Sequence, residues 1–235
     1  DLAARDVVAR SIHQEMLTTG SKCVYLDIKS YLPADEIKAH FPAIYQRCLE
    51  FGVDITKDLI PVVPAAHYHC GGVWVDEHGR SSLRNLYAIG EVSCTGVHGA
   101  NRLGSASLLE GLVWGVRAAR DIAGNLGELG CAPEDIPPWY NGGLTETADP
   151  ALIHQDMTTI QHIMWNYVGL VRSTRRLDRA ISDLRNLQID ITRFYSTTKL
   201  TDGLIGLRNA VQAALIVAQA AWENKVSRGC HYRED

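Results

Sequence analysis

The chain has 235 residues, is 46% hydrophobic and 21% charged, and carries a formal net charge of −4. Without a basic block it has no electrostatic support for nucleic-acid binding. No apolar run approaches the ~18 residues of a membrane span, and the longest candidate, residues 210–221, is interrupted by Gln212 and Gln219. The six cysteines are scattered with no Cys-x-x-Cys pair. They read as thiols of a reducing compartment, not as a disulfide framework or zinc site. The length suits one large or two modest domains. The chain starts without Met, inside a helical pattern, and stops without a tapering tail, so it reads as a piece of a longer protein.

Residues 2–17 carry apolar positions at helical spacing, with Asp1 as the expected N-cap. Arg5 sits in the first turn, where acids are normally favoured. On periodicity alone it reads as a solvated arginine paired with Asp6 or Asp1. Residues 24–28 alternate like a strand. A helix is expected over 34–51, broken near Pro42 and ended by Gly52.

Pro61 and Pro64 stiffen the approach to His67-Tyr68-His69-Cys70-Gly71-Gly72, where the paired glycines allow close backbone contact. The His67-x-His69 pair has no further ligand at suitable spacing, so no metal site is expected. Residues 73–75 and 86–89 read as strands, with a turn over 76–80 between them.

Residues 90–110 form a Gly-rich loop between the second of these strands and a helix. That layout aims backbone N–H groups at an anion or an electron-rich ring. Leu108, Leu109, Leu112, Val113, Val116 and Ala119 make a stripe expected to face a core, and Gly111 and Gly115 thin one side. Residues 124–150 hold five glycines and four prolines and read as a linker. Three helices are expected beyond it, over 152–171, 172–194 and 200–223, packed as an antiparallel bundle. Arg172, Arg175, Arg176 and Arg179 read as a solvated or interdomain face.

Several motifs, in order, carry a family resemblance. They are Asp1-Leu2-Ala3-Ala4-Arg5-Asp6, Pro64-Ala65-Ala66-His67-Tyr68-His69-Cys70-Gly71-Gly72, and Gly90-Glu91-Val92. His98-Gly99-Ala100-Asn101-Arg102-Leu103, Ser107-Leu108-Leu109-Glu110 and Trp165-Asn166-Tyr167-Val168-Gly169 continue the series. Together they resemble the succinate dehydrogenase, fumarate reductase and L-aspartate oxidase flavoproteins. Ala65-Ala66 and Cys70-Gly71-Gly72 resemble the oxidase branch.

The resemblance implies an α/β (α+β) fold. Partial FAD-binding and capping domains are followed by an all-α C-terminal three-helix bundle. Residues 1–60 would close the capping domain, 61–123 belong to the FAD-binding domain, 124–150 to the linker and 151–235 to the helical domain. It implies FAD as cofactor and oxidation of L-aspartate to iminoaspartate. Oxygen or fumarate would reoxidise the flavin, with a link to quinolinate synthase in NAD biosynthesis. It implies a cytoplasmic enzyme, plastidial in plants.

Residue by residue, Arg5 resembles the catalytic proton shuttle, and His67 and Arg102 the contacts to a dicarboxylate. Glu91 resembles the residue on the FAD sugar hydroxyls, and Ser107 and Leu108 the flavin contacts, with Ser105 as a supplementary N-cap. Two departures stand out. No Gly-x-Gly-x-x-Gly occurs, so the 235 residues alone are not expected to bind FAD tightly or turn over. Ala106 stands where the motif has Asn. The alternatives are a succinate dehydrogenase or fumarate reductase flavoprotein, and a non-catalytic helical interaction domain.

Overall fold

The computed structural model describes residues 3–127, 137–138, 140 and 142–235. The chain divides into two compact units, 1–67 and 68–235. The mixed fold comprises seven α-helices and two small sheets among the described residues.

In the first unit, α1 (Arg5–Thr19) begins after Ala4, which offers no side-chain cap. The expected cap Asp1 and the first apolar position Leu2 lie outside the described residues. Asp6 pairs with Arg10 at 2.9 Å, one turn along the helix. β1 (Val24–Leu26) runs antiparallel to β2 (Ile60–Val62), with Val24 opposite Val62.

The expected helix over 34–51 is two helices, α2 (Ala34–His40) and α3 (Pro42–Glu50). Pro42 is the cause. It pushes Phe41 out of the helical region, to φ −126° and ψ 49°, because a residue before proline clashes with the ring. Gly52 then donates its N–H to the Leu49 carbonyl at 2.9 Å and closes α3. Ile37 and Ile55 are buried within this unit.

The second unit opens on β3 (Val73–Trp74), which pairs in parallel with β4 (Ser93–Cys94). Gly72 makes that pairing possible. Its φ is +129°, and a Cβ there would sit 2.2 Å from the Val92 carbonyl oxygen. A backbone oxygen has no room to yield, so Gly72→Ala is expected to lower unfolding free energy by about 2 kcal/mol or more. Denaturant titration of the folded protein measures it.

Residues 86–89 do not form the expected buried strand. Only Tyr87 bridges, to Arg80, while Leu86 and Ile89 are exposed. The bonds Ser81 N–H to Leu86 O and Ala88 N–H to Gly79 O tie this run to the turn before it. Among the described residues no second strand lies along its other edge, and one bridge does not make a ladder.

α4 (Ser107–Asn125) also turns a different face inward from the one expected. Leu108 is 88% exposed, and Leu109, Leu112, Val113 and Val116 are exposed too. The packed side is the narrow one. A Cβ on Gly111 would lie 3.8 Å from Gly90 Cα, and one on Gly115 would lie 3.9 Å from Ile89 Cγ2. Glu110 and Ala118 are its buried residues. Small residues let two backbones approach closely, and larger side chains on that face would hold them apart.

Asp121 fastens the far end of α4. It accepts from Arg80 Nε at 2.7 Å and from Tyr87 OH at 2.6 Å, and Arg80 Nη2 adds a further bond. These bonds hold the Asp121 carboxyl at about 2, below the ordinary 3.8. The folded value is depressed, so the contribution is present above pH 3.8 and is lost as pH falls through about 2. Asp121→Asn is therefore expected to flatten the fall of the melting temperature across that acid range. The check is a thermal-melt series at stepped pH.

The last three helices are α5 (Pro150–Tyr167), α6 (Thr174–Thr197) and α7 (Asp202–Glu223). Each begins at a side-chain cap: Asp149, Ser173 and Thr201 accept from the N–H groups of Ala151, Arg176 and Leu204. The three pack on one another around one core that includes Ile160, Leu177, Leu184, Ile191, Leu207 and Val211.

By length and composition α7 alone, among the described residues, is apolar enough to cross a membrane. This departs from the sequence reading, in which two glutamines broke the run. Seven of its residues, among them Leu204, Val211 and Leu215, are buried in the protein, and its apolarity serves that packing.

Arg172 lies before the cap of α6 and is not the solvated residue expected. Its Nε donates to the carbonyls of Val168 and Gly169, and its Nη1 lies 2.8 Å from His231 Nδ1. Burial pushes its pKa down. The bonds satisfy carbonyls left over at the end of α5. Arg179 does sit on the surface, paired with Asp183.

Candidate functional site

The loop from Gly90 to Glu110 carries most of the expected site residues, and the second unit holds it from two sides. On one side, the turn Gly90–Val92 packs against α4. On the other, the C-terminal loop docks on Ala100. Cys230 donates its N–H to the Ala100 carbonyl at 2.8 Å. Gly229, at φ +57°, comes so close that a Cβ would lie 2.3 Å from the same oxygen. The chain's last residues therefore brace the loop that presents Arg102.

Arg102 is half-buried and held in two ways. Its Nε donates to Ser107 Oγ at 2.8 Å. Its guanidinium carbon lies 5.3 Å from the centroid of the Tyr68 ring, within cation–π range. The bond to Ser107 uses Nε, so the two terminal amino groups remain as the fork that binds a carboxylate bidentately.

Beneath this pair lies a network whose role the motifs did not reveal. Glu110 is only 4% exposed. It accepts from Tyr68 OH at 2.8 Å, from His98 Nε2 at 3.1 Å and from Thr95 Oγ1. Burial alone would push the Glu110 pKa up. The hydroxyls of Thr95 and Tyr68, together with His98, outweigh burial and hold it below the ordinary carboxylate range. Burial and the neighbouring carboxylate raise the Tyr68 phenol to about 12, so it stays protonated and donates. His98 Nδ1 accepts the Leu103 N–H at 3.2 Å, which leaves its Nε2 to carry the proton toward Glu110.

Glu91 is exposed at the start of this loop, and its Oε1 accepts the His69 N–H at 2.9 Å. Ser107 opens α4, with Leu108 beside it in solvent. Ser105 is not the N-cap. Ala106 occupies that position without a side-chain bond, and Ser105 sits at φ +64°, with its side chain making no cap bond. The Ala106 departure thus leaves the first N–H groups of α4 without a side-chain cap.

The structure therefore brings Arg102, Ser107 and the Glu91 turn together within the second unit. Arg5 and His67 belong to the first unit. Arg5 is exposed at the first turn of α1, and His67 is exposed at that unit's end. Among the described residues no three His, Cys, Asp or Glu side chains converge to hold a metal ion.

The roles that sequence reasoning missed are those of Tyr68, Thr95, His98 and Glu110. A faint signal existed for the last. A glutamate inside the apolar run Leu108-Leu109-Glu110-Gly111-Leu112-Val113 is costly unless its carboxylate finds donors.

Residues 1–108 match the model of the FAD binding domain, and 157–235 that of the fumarate reductase flavoprotein C-terminus. The chain is 47% identical to an L-aspartate oxidase of Yersinia pestis, over all of this chain and 44% of that protein. It is 48% identical to one of Pseudomonas aeruginosa, covering 43% of it. A chloroplastic L-aspartate oxidase of Oryza sativa is 40% identical, with 38% of its length covered. The chain thus spans less than half the length of the curated relatives it matches.

Among solved structures, an E. coli quinol fumarate reductase superposes with a TM-score of 0.79 at 27% identity, covering 98% of this chain and 43% of that one. Mycobacterium smegmatis Sdh1, in complex with UQ1, gives 0.73 at 32% identity, over all of this chain and 42% of its own. By its two matching domains and its relatives over the whole chain, this protein belongs to the FAD-binding flavoprotein family of L-aspartate oxidase, succinate dehydrogenase and fumarate reductase.

Proposed function

We propose that this chain forms the dicarboxylate end and part of the flavin site of an FAD-dependent L-aspartate oxidase. The observation that carries the proposal is Arg102, fixed by Ser107 and Tyr68 above a buried, ionised Glu110. The residues present fit FAD by their chemistry. The start of α4 has no side-chain cap, so its N–H groups and helix dipole suit the electron-rich edge of a flavin ring. The exposed Leu108 suits a ring face, and the Glu91 carboxylate suits sugar hydroxyls.

When bound, FAD supplies the hydride acceptor. The rest falls to the protein's side chains. Arg102 would clamp one carboxylate of L-aspartate and His67 would contact the other end. Arg5 would exchange the proton at the substrate carbon. The product would be iminoaspartate, with oxygen or fumarate as final acceptor, and quinolinate synthase would consume it on the way to NAD. We place residues 1–60 in the capping domain, 61–123 in the FAD-binding domain and 124–150 in a linker, and read 151–235 as a three-helix bundle. The compartment would be the cytoplasm, or the plastid in a plant, as the name of the Oryza relative suggests.

One competing reading is a succinate or fumarate flavoprotein, because the same clamp serves any four-carbon dicarboxylate; the solved neighbours support it only as far as the superfamily. Titrating the full-length flavoprotein with succinate, and following the flavin absorbance, tests the shared part. A saturable spectral shift that Arg102→Ala removes is the expected result. No shift at any concentration would contradict a dicarboxylate site and favour an interaction domain.

A further inference from the structure

We propose that Glu110 is a positioning residue that sets the orientation of Arg102 through two relays, Tyr68 and His98. The inference rests on the reading of Arg102 as the carboxylate clamp and extends it to a residue with no direct contact to substrate.

Glu110 lies one turn into α4, and one of its oxygens takes two donors. Tyr68 OH reaches Oε2 at 2.8 Å, and His98 Nε2 reaches the same atom at 3.1 Å. Thr95 occupies Oε1. A carboxylate so enclosed cannot turn without leaving a buried donor unpaired. It therefore fixes both rings, which meet edge to face with centroids 5.1 Å apart.

The Tyr68 relay acts on the face of the guanidinium. The ring sits 5.3 Å from the Arg102 centre and cannot slide while its hydroxyl is anchored. The His98 relay acts on the backbone. Its Nδ1 accepts the N–H of Leu103, the residue after Arg102, at 3.2 Å. That bond needs Nδ1 unprotonated, and Glu110 favours this tautomer by accepting the hydrogen bond from Nε2–H.

The electrostatics favour two links over a direct ion pair. A carboxylate bonded to Arg102 itself would occupy the fork that substrate must use. Glu110 is bonded to Tyr68 instead, so a buried negative charge supports the cation without competing for its amino groups.

The test uses the full-length flavoprotein and steady-state turnover of L-aspartate. Glu110→Gln keeps shape but removes the charge and replaces one acceptor oxygen with an amide N–H. The bonds from Tyr68 OH and His98 Nε2 then lose their charge assistance, and both relays loosen. The KM for L-aspartate is expected to rise by about tenfold or more, with flavin content unchanged, as loss of a buried charged acceptor should give. The same substitution in an Arg102→Ala background is expected to add less than about twofold, because residues acting as one unit are not additive.

If Glu110 served stability alone, Glu110→Gln would lower the melting temperature and multiply KM equally in both backgrounds, and the proposal would fall. If Arg102→Ala itself left KM unchanged, the clamp reading would fail first. If Arg102→Ala raised KM and Glu110→Gln did not, the clamp would stand without this relay. Tyr68→Phe keeps the ring and removes only the hydroxyl, so it serves if Glu110→Gln does not fold. Its expected rise is about threefold or more, again lost in the Arg102→Ala background; equal effects in both backgrounds would overturn the relay.

Discussion

Replacing Arg102 with alanine in the full-length enzyme is expected to lower kcat/KM for L-aspartate by about two to three orders of magnitude, mostly through KM. The size follows from what is lost. A bidentate, charge-assisted contact in a half-buried site disappears, and the substrate carboxylate keeps its desolvation cost without a partner. Arg102→Lys is expected to restore only a small part. A lysine ammonium cannot make a forked contact, and it has no counterpart to the Nε that donates to Ser107. Flavin content should be unchanged in both variants. A KM within about twofold of wild type in Arg102→Ala would remove Arg102 from the substrate site.

A second large effect is expected at Arg5. Arg5→Lys should keep bound flavin and lose turnover by about 100-fold or more, with little change in KM, because proton transfer is a step made only in the transition state. The sequence offered a plain alternative, a solvated arginine paired with Asp6 or Asp1. The structure leaves Arg5 exposed and pairs Asp6 with Arg10 at 2.9 Å, while Asp1 lies outside the described residues. A guanidinium with a pKa above ~12 is a poor base in water, so the role requires a site closed to solvent and a neighbour that relays the proton. Rapid mixing of the variant with L-aspartate under anaerobic conditions separates the steps. Slow flavin reduction after normal binding supports the shuttle, and reduction at the wild-type rate contradicts it.

The local features were the legible ones. The break at Pro42, the close approach at Gly72 and the helical C-terminal region all follow from short-range rules, and the structure bears each out. The errors arose where distant parts of the chain decide. The face of α4 could not be read from its leucines, because the small residues Gly111, Gly115 and Ala118 take the packed side. Arg172 looked solvated because its partners, the end of α5 and His231, come from two other places. The run 86–89 has strand-like residues but pairs only with its own turn.

The same division holds at the site. Arg102, Ser107 and Glu91 stand in recognisable motifs. Tyr68, His98 and Glu110 stand in the same motifs, but their supporting role is not legible there, since Tyr68 and Glu110 are 42 positions apart and meet only after folding. Ser105 was misjudged by one residue, because helix starts are set by backbone torsions that composition does not fix.

The most direct test of the central claim is anaerobic mixing of the full-length, FAD-loaded protein with L-aspartate, followed by admission of air. The account predicts that L-aspartate bleaches the flavin absorbance. Air should then restore it with formation of hydrogen peroxide, and the product should break down to oxaloacetate and ammonia. Bleaching by succinate with none by L-aspartate would contradict it.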